Sequence, residues 1–131
     1  MPHLSFQYSA GLEARADPGA LAATLRDAML ATGLFPLGGI RVRGFRADVA
    51  VIADGGAHDF VDMELRIGAG RDEAAKAAAA ETIYAAAENW LRPRIGDGGF
   101  ALSLELREID AALSIKRFNT IRDYLEKAGT S

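Results

Sequence analysis

The sequence predicts an α+β domain in which two strand–helix–strand units form a four-stranded sheet with two helices on one face. Three observations indicate this class. Apolar and polar residues alternate from Leu4 to Tyr8 and again in three later stretches, which is typical of half-buried strands. Two intervening segments carry apolar residues at helical spacing. A helix that joins two strands of one sheet implies that those two strands are parallel.

The elements of the first unit follow from local signals. Its first strand starts at the amino terminus, so Pro2 should be held by the sheet. Asp17-Pro18 combines an N-cap with a proline in the first turn, and Gly33 should end the helix. The second strand is predicted over 40–51, with a bulge at Gly44 that shifts the apolar alternation by one residue.

The second unit repeats this order. A strand is predicted over 60–67, and Asp72 is expected to cap an alanine-rich helix that runs to about Trp90 and ends at Pro93. A fourth strand is predicted over 100–106. The sheet face opposite the two helices has no cover, and an apolar face left in that state would predict association.

The length of 131 residues indicates a single domain, 1–131. We divide it into a first unit at 1–52, a second unit at 59–109 and a C-terminal arm with a short amphipathic helix at 110–131. The arm is expected to lie outside the central sheet, as an arm or a lid.

Composition and charge exclude several classes of function. The net charge of −3 and the absence of a basic cluster argue against nucleic acid and a membrane surface as partners. The chain has no cysteine, and its two histidines lack the spacing of metal ligands, so no metal is expected. No secretory signal and no apolar run of bilayer length is evident, so we expect a cytoplasmic protein with no membrane partner.

The amino terminus carries the one group suited to general-base catalysis. Because Pro2 is small, the initiator methionine is normally removed, and Pro2 would then present a secondary amine. An α-amino group titrates near ~8, and burial or nearby positive charge lowers that pKa. The alternative is that Pro2 only tolerates a strand end. If Met1 is retained, the Pro2 nitrogen is an amide and cannot act as a base.

Three arginines are candidates for binding carboxylates. Arg41 and Arg43 lie on one face of the second strand, and Arg71 precedes the second helix. The alternative is that they are solvated or paired with Asp and Glu. Gly68-Ala69-Gly70 before a helix suggests a dinucleotide site, but Glu73 stands where the third glycine would fall, so that interpretation is weak.

Three blocks together resemble the 5-carboxymethyl-2-hydroxymuconate isomerase family of the tautomerase superfamily. They are Met1-Pro2-His3, the stretch 31–43 (Ala-Thr-Gly-Leu-Phe-Pro-Leu-Gly-Gly-Ile-Arg-Val-Arg) and Ile67-Gly68-Ala69-Gly70-Arg71, and the likeness continues through 101–106. The resemblance implies a tautomerase-like mixed sheet and a homotrimer whose sheets face inward. After residue 110 the likeness is loose.

The resemblance also implies an activity. Pro2 would move a proton in the isomerisation of 5-carboxymethyl-2-hydroxymuconate, an unsaturated di- or tricarboxylate from homoprotocatechuate breakdown, with no cofactor. Arg41 and Arg71 would bind its carboxylates, and Arg43 and His3 are further candidate substrate contacts. Two alternatives stay open, namely a tautomerase-superfamily enzyme for another unsaturated 2-keto acid and a non-catalytic trimeric binding domain.

Overall fold

The structure, a computed structural model, describes residues 1–129. Four strands form one sheet, in which β1 and β2 are parallel, β3 and β4 are parallel, and β1 pairs with β3 in the antiparallel sense. The sheet order is β2-β1-β3-β4. The bounds are β1 His3–Ser9, α1 Pro18–Ala31, β2 Arg41–Ala47, β3 His58–Gly68, α2 Glu73–Ile95, β4 Gly99–Ile109 and α3 Ile121–Lys127, with short 3-10 turns at Ala10–Ala14 and Leu37–Gly39. The predicted mixed four-stranded sheet is confirmed.

The helices begin where the sequence predicts. The Asp17 carboxylate accepts hydrogen bonds from two backbone N–H groups of the first turn of α1, and Asp72 accepts one from the Ala75 N–H at the start of α2. The predicted end of α2 is wrong, because the helix continues through Pro93 to Ile95. Leu91 and Ile95 are buried on one face of this last turn. Their burial offsets the cost of the helix hydrogen bond that proline removes.

The core lies between the helices and one face of the sheet. The alternation predicted for β1 and β3 places their apolar residues on this face, and α1 and α2 cover them with residues three and four positions apart. The fully buried side chains include Leu4, Phe6, Val61, Met63, Leu65 and Ile67 from the sheet, and Leu21, Leu25, Met29, Ile83 and Leu91 from the helices.

The predicted bulge at Gly44 is wrong. The pairing of β1 with β2 runs without interruption from His3–Arg41 to Ser9–Ala47, with Gly44 directly opposite Phe6. A Cβ on Gly44 would lie 2.5 Å from Cζ of the Phe6 ring, so the glycine provides room for a core aromatic side chain.

This register determines which of the following residues are exposed. Phe45 faces away from the helices and is 51% exposed, and β2 ends at Ala47 rather than at residue 51. Val49 and Val51, which the predicted strand included, are 89% and 85% exposed in the loop after the strand.

Substitution of Gly44 by alanine should lower the free energy of unfolding by about 1–3 kcal/mol, because the added methyl overpacks a rigid ring. Urea unfolding monitored by circular dichroism measures the change. The same substitution in a Phe6→Leu background should cost less, since the clashing ring is gone. An equal cost in both backgrounds would contradict the packing explanation.

The sheet face without helices is largely polar, with Phe45 as an exposed aromatic side chain. Its side chains include Ser5, Gln7, Arg43, Asp62, Glu64 and Glu105. Further large exposed apolar side chains occur in the loop after β2 and in the segment after β4, where Leu113, Ile115 and Phe118 are found.

A buried polar cluster joins β1, β3 and the end of α2. The Ser9 hydroxyl donates to the Asp59 carboxylate over 2.6 Å, and the Phe60 N–H donates to the Ser9 oxygen over 3.0 Å. Arg15 forms an ion pair with Asp59 and donates to the Ile95 carbonyl over 3.0 Å. The cluster therefore ties together three elements that the apolar core also connects.

The C-terminal helix α3 lies outside the sheet, as predicted, and packs against the turn at Leu37–Gly39. The predicted arm extends to residues 130 and 131, which lie outside the described residues. Among residues 1–129, no helix has the length and apolarity needed to cross a membrane.

Candidate active site

Four chain segments meet at one end of the sheet. Because β1 and β2 run antiparallel to β3 and β4, the starts of the first pair lie beside the ends of the second pair. Pro2 precedes β1, Arg41 opens β2, Arg71 follows β3, and the chain beyond Ile109 leaves β4 at the same end. The topology thus brings together residues that are distant in sequence.

Pro2 is buried and firmly placed. Its carbonyl accepts a hydrogen bond of 3.2 Å from the Arg41 N–H, which continues the pairing of β1 with β2 to the residue before the strand. Gly39 lies against the proline ring, since a Cβ there would be 3.4 Å from the Pro2 Cδ. The first residues of this chain are therefore anchored, unlike most chain termini.

Pro2 borders a cleft with a volume of about 430 Å³. Its walls come from the amino terminus, the 35–39 loop, the connection between β3 and α2, and the segment that follows β4. The lining residues are Met1, Pro2, Phe35, Pro36, Gly38, Gly39, Gly68, Arg71, Lys116, Asn119, Arg122 and Asp123.

Arg71 is held in one wall by two contacts. Its Nη2 donates to the Leu34 carbonyl over 3.0 Å, and its guanidinium carbon lies 5.3 Å from the centre of the Phe35 ring. Gly70, immediately before it, has a φ of +116°, a conformation that favours glycine. The hydrogen bond uses one of the five guanidinium donors, so the group retains the capacity to bind a carboxylate in the cleft.

Arg41 lies outside the cleft lining and contacts two of its residues, Met1 and Gly39. Its Nη1 donates to the Gly39 carbonyl over 3.1 Å and lies 3.1 Å from the Met1 sulfur. Arg41 therefore contacts the side chain that processing would remove, and its guanidinium would be exposed to whatever replaces Met1.

His3 and Arg43 lie beside the cleft rather than in its walls. They occupy the sheet face away from the helices, where Arg43 Nη1 is 3.3 Å from His3 Nδ1. Burial, followed by the positive charges of Arg66, Arg43 and Arg41, lowers the pKa of His3 to about 4. The His3 ring is consequently neutral at pH 7.

The end of the cleft next to the amino terminus is electropositive. The pKa of the Met1 amino group is lowered from its ordinary value of 8.0, first by burial and then by Lys116, with smaller effects from Arg71 and Arg41. Such surroundings favour a neutral amine and an anionic ligand at the same position. Within residues 1–129, no group of three or more His, Asp or Glu side chains has the arrangement of a metal site.

The polar lining residues from the segment after β4 were not among the predicted site residues. Lys116, Asn119 and Arg122 come from the segment after β4, which the sequence marks only as an arm. A signal was present in the topology, because a fourth strand parallel to the third must end beside Arg71. The basic pair Lys116-Arg117 that follows would then have been a candidate.

Comparison with known proteins agrees with this geometry. The family model described as 5-carboxymethyl-2-hydroxymuconate isomerase matches residues 2–125. The chain is 35% identical over 121 residues to the 5-carboxymethyl-2-hydroxymuconate Delta-isomerase of Escherichia coli, with 91% of this chain and 95% of that protein covered.

Solved structures extend the likeness to three dimensions. A crystal structure of a 5-carboxymethyl-2-hydroxymuconate delta-isomerase superposes with a TM-score of 0.88 at 33% identity, covering 95% of this chain and 93% of that chain. A fused 4-OT described as a symmetric trimer shares the fold alone, with a TM-score of 0.62 at 20% identity over 89% of this chain and 95% of its own. By the family model and the relative from E. coli, the chain belongs to the 5-carboxymethyl-2-hydroxymuconate isomerase family.

Proposed function

We propose that this protein is a cofactor-independent isomerase that converts 5-carboxymethyl-2-hydroxymuconate to its keto isomer, with the Pro2 amine as the base. The observation that supports this most is a buried Pro2 at the edge of a cleft whose cationic side chains come from several parts of the chain. Membership of the family supplies the substrate. Breakdown of homoprotocatechuate, and with it a cytoplasmic location, are part of the same proposal.

The proposed reaction moves one proton and shifts the double bonds. The neutral Pro2 nitrogen takes the proton from the 2-hydroxyl group, which leaves a dienolate. The same nitrogen, now protonated, returns a proton to a carbon of the diene and gives the conjugated ketone. No atom is gained or lost, so the step needs no redox partner.

Arg41 and Arg71 have complementary roles in this proposal. Each would bind a carboxylate through charge-assisted hydrogen bonds, and their positive charges would oppose the negative charge that develops on the dienolate oxygen. Arg71 is already oriented by Leu34 and Phe35. His3 and Arg43 remain predicted substrate contacts, since they flank the cleft on the sheet face next to Arg41.

The test of the proposal is an ultraviolet assay of 5-carboxymethyl-2-hydroxymuconate ketonisation with protein whose intact mass shows that Met1 is absent. Conversion that depends on Pro2 would support the base and the substrate together. Faster conversion of another unsaturated 2-keto acid would move the substrate within the superfamily. Protein isolated with Met1 in place and without activity would favour the non-catalytic binding domain.

Removal of either arginine should lower kcat/KM by about 10- to 150-fold, which corresponds to a charge-assisted hydrogen bond of ~1.5 to 3 kcal/mol. The variants are Arg41→Ala and Arg71→Ala, assayed by steady-state kinetics. Arg26→Ala is a matched control, because Arg26 is exposed on α1 and, among residues 1–129, its ion pair is with its neighbour Asp27. Wild-type kinetics in both site variants would refute the carboxylate-binding role.

The activity should rise with pH and level off below pH ~8. The base acts in its deprotonated form, and the surroundings lower the pKa of an amine at this terminus, so more of it is neutral at pH 7 than in a free peptide. The dependence of kcat/KM on pH, measured on processed protein between pH 5 and 9, checks this. A rate that does not change across this range would argue against a titrating base.

We also propose that the protein is a homotrimer. Exposed apolar side chains in the loop after β2 and in the segment after β4 would be covered by neighbouring subunits, and β2 and β4 are edge strands within the monomer. The fused 4-OT trimer has the same fold. Light scattering coupled to size-exclusion chromatography would give three times the chain mass, and a monomer mass would contradict the proposal.

A further inference from the structure

The segment after β4 contributes a cationic wall to the cleft. Lys116, Asn119, Arg122 and Asp123 all line it, opposite the walls formed by Pro2 and Arg71. Of these four, Lys116 is the one whose positive charge lowers the pKa of the Met1 amino group most. The segment therefore brings a single ammonium on a flexible stem into the cleft that Pro2 borders.

The position of this wall is set by the 37–39 turn. A Cβ on Gly38 would lie 3.7 Å from the Arg122 Cα and 3.5 Å from the Leu125 Cδ1, so α3 rests directly on the backbone of the turn. The next residue, Gly39, rests on Pro2. The same short turn thus positions both the proline and the helix that follows Lys116.

The charges of the cleft can be compared with those of the proposed substrate. 5-Carboxymethyl-2-hydroxymuconate has three carboxylates, two at the ends of the muconate chain and one on the carboxymethyl branch. Arg41 and Arg71 account for two of them in the proposed function. A third carboxylate buried without a cation would be costly, and Lys116 lies in the same cleft.

We infer that Lys116 binds the carboxylate of the carboxymethyl branch and gives the enzyme its preference for a tricarboxylate over a dicarboxylate of the same chain. The inference rests on the proposed function, because it assigns a part of that substrate. The geometric support is that Lys116 and Pro2 line the same cleft.

The test compares two substrates that differ only in the branch. Lys116→Met should lower kcat/KM for 5-carboxymethyl-2-hydroxymuconate roughly 10-fold or more, mainly through KM, and should leave kcat/KM for 2-hydroxymuconate much less affected. Lys127→Met is the matched control, since Lys127 lies at the end of α3 outside the cleft lining. Lys116→Arg should recover most of the lost preference. An equal loss on both substrates would overturn the inference.

A binding measurement separates this inference from the proposed function. Calorimetry with tricarballylate, a saturated tricarboxylate, and with glutarate, a dicarboxylate, requires no turnover. Wild-type protein should bind tricarballylate more tightly, and Lys116→Met should remove that difference even if the wild type proves inactive as an isomerase. Equal binding of tricarballylate by both proteins, or none by the wild type, would overturn the role of Lys116.

Discussion

Isomerase activity should fall by a factor of about 10²–10⁴ when Met1 remains attached to Pro2, because the Pro2 nitrogen is then an amide and the general base is lost. The same residue would also fill the site. In the unprocessed chain Met1 lines the cleft, and its sulfur lies 3.1 Å from the Arg41 guanidinium. Retention of one residue would therefore remove the proposed base and cover the arginine proposed to bind a carboxylate.

The experiment can use a single sequence in two forms. Protein made while methionine aminopeptidase is inhibited should keep Met1, as intact mass will show, and should be nearly inactive. Treatment of that same sample with purified aminopeptidase should remove one methionine and restore activity in proportion. Pro2→Ala, which retains a small second residue and yields a primary amine, should fall between the two forms. Full activity of the unprocessed form would exclude Pro2 as the base.

Loss of the Asp59 carboxylate should lower the free energy of unfolding by roughly 3 kcal/mol. Asp59 is buried, and it holds both Arg15 and Ser9. In Asp59→Ala the Arg15 guanidinium loses its counterion while its position remains fixed by the Ile95 carbonyl. Urea unfolding of the purified variant, followed by circular dichroism, measures the change.

An exposed ion pair provides the comparison for Asp59. Asp27 pairs with Arg26 on the surface of α1, with side chains that are 66% and 50% exposed, so Asp27→Ala should cost no more than about 0.5 kcal/mol. Replacement of Arg15 and Asp59 together by Met and Leu should cost less than Asp59→Ala alone, because no unpaired charge is left. If Asp27→Ala and Asp59→Ala lower the free energy of unfolding equally, the buried cluster does not stabilise the fold more than an exposed ion pair does.

The parts of the fold that rest on local signals could be predicted from the sequence. Apolar alternation identified the buried faces of β1 and β3, and Asp17 and Asp72 marked the helix starts. The bulge predicted at Gly44 is wrong because the requirement for glycine at this position does not come from its sequence neighbours. The glycine makes room for Phe6 on a neighbouring strand, 38 positions earlier in the sequence by number, and a period-two pattern contains no information about that ring.

The residues of the candidate site could be predicted only in part from the sequence, for a related reason. Pro2, Arg41 and Arg71 belong to segments next to strands, so their meeting point follows once the strand directions are known. Lys116 and Arg122 lie in a segment without regular structure and in a short helix, and their position depends on how α3 rests on Gly38. Tertiary docking of this kind has no periodic signature in the sequence.

The docking of α3 on a bare glycine backbone has an evolutionary consequence. The segment that supplies Lys116 follows β4, α3 packs on the 37–39 turn, and the apolar core contains no described residue after Leu106, so residues 110–127 can change without repacking that core. New selectivity toward anionic substrates could arise by replacement of this tail, while the sheet still holds Pro2 and Arg41 and the Leu34 carbonyl still holds Arg71. Grafted tails from relatives would then act as interchangeable selectivity elements beside a constant Pro2.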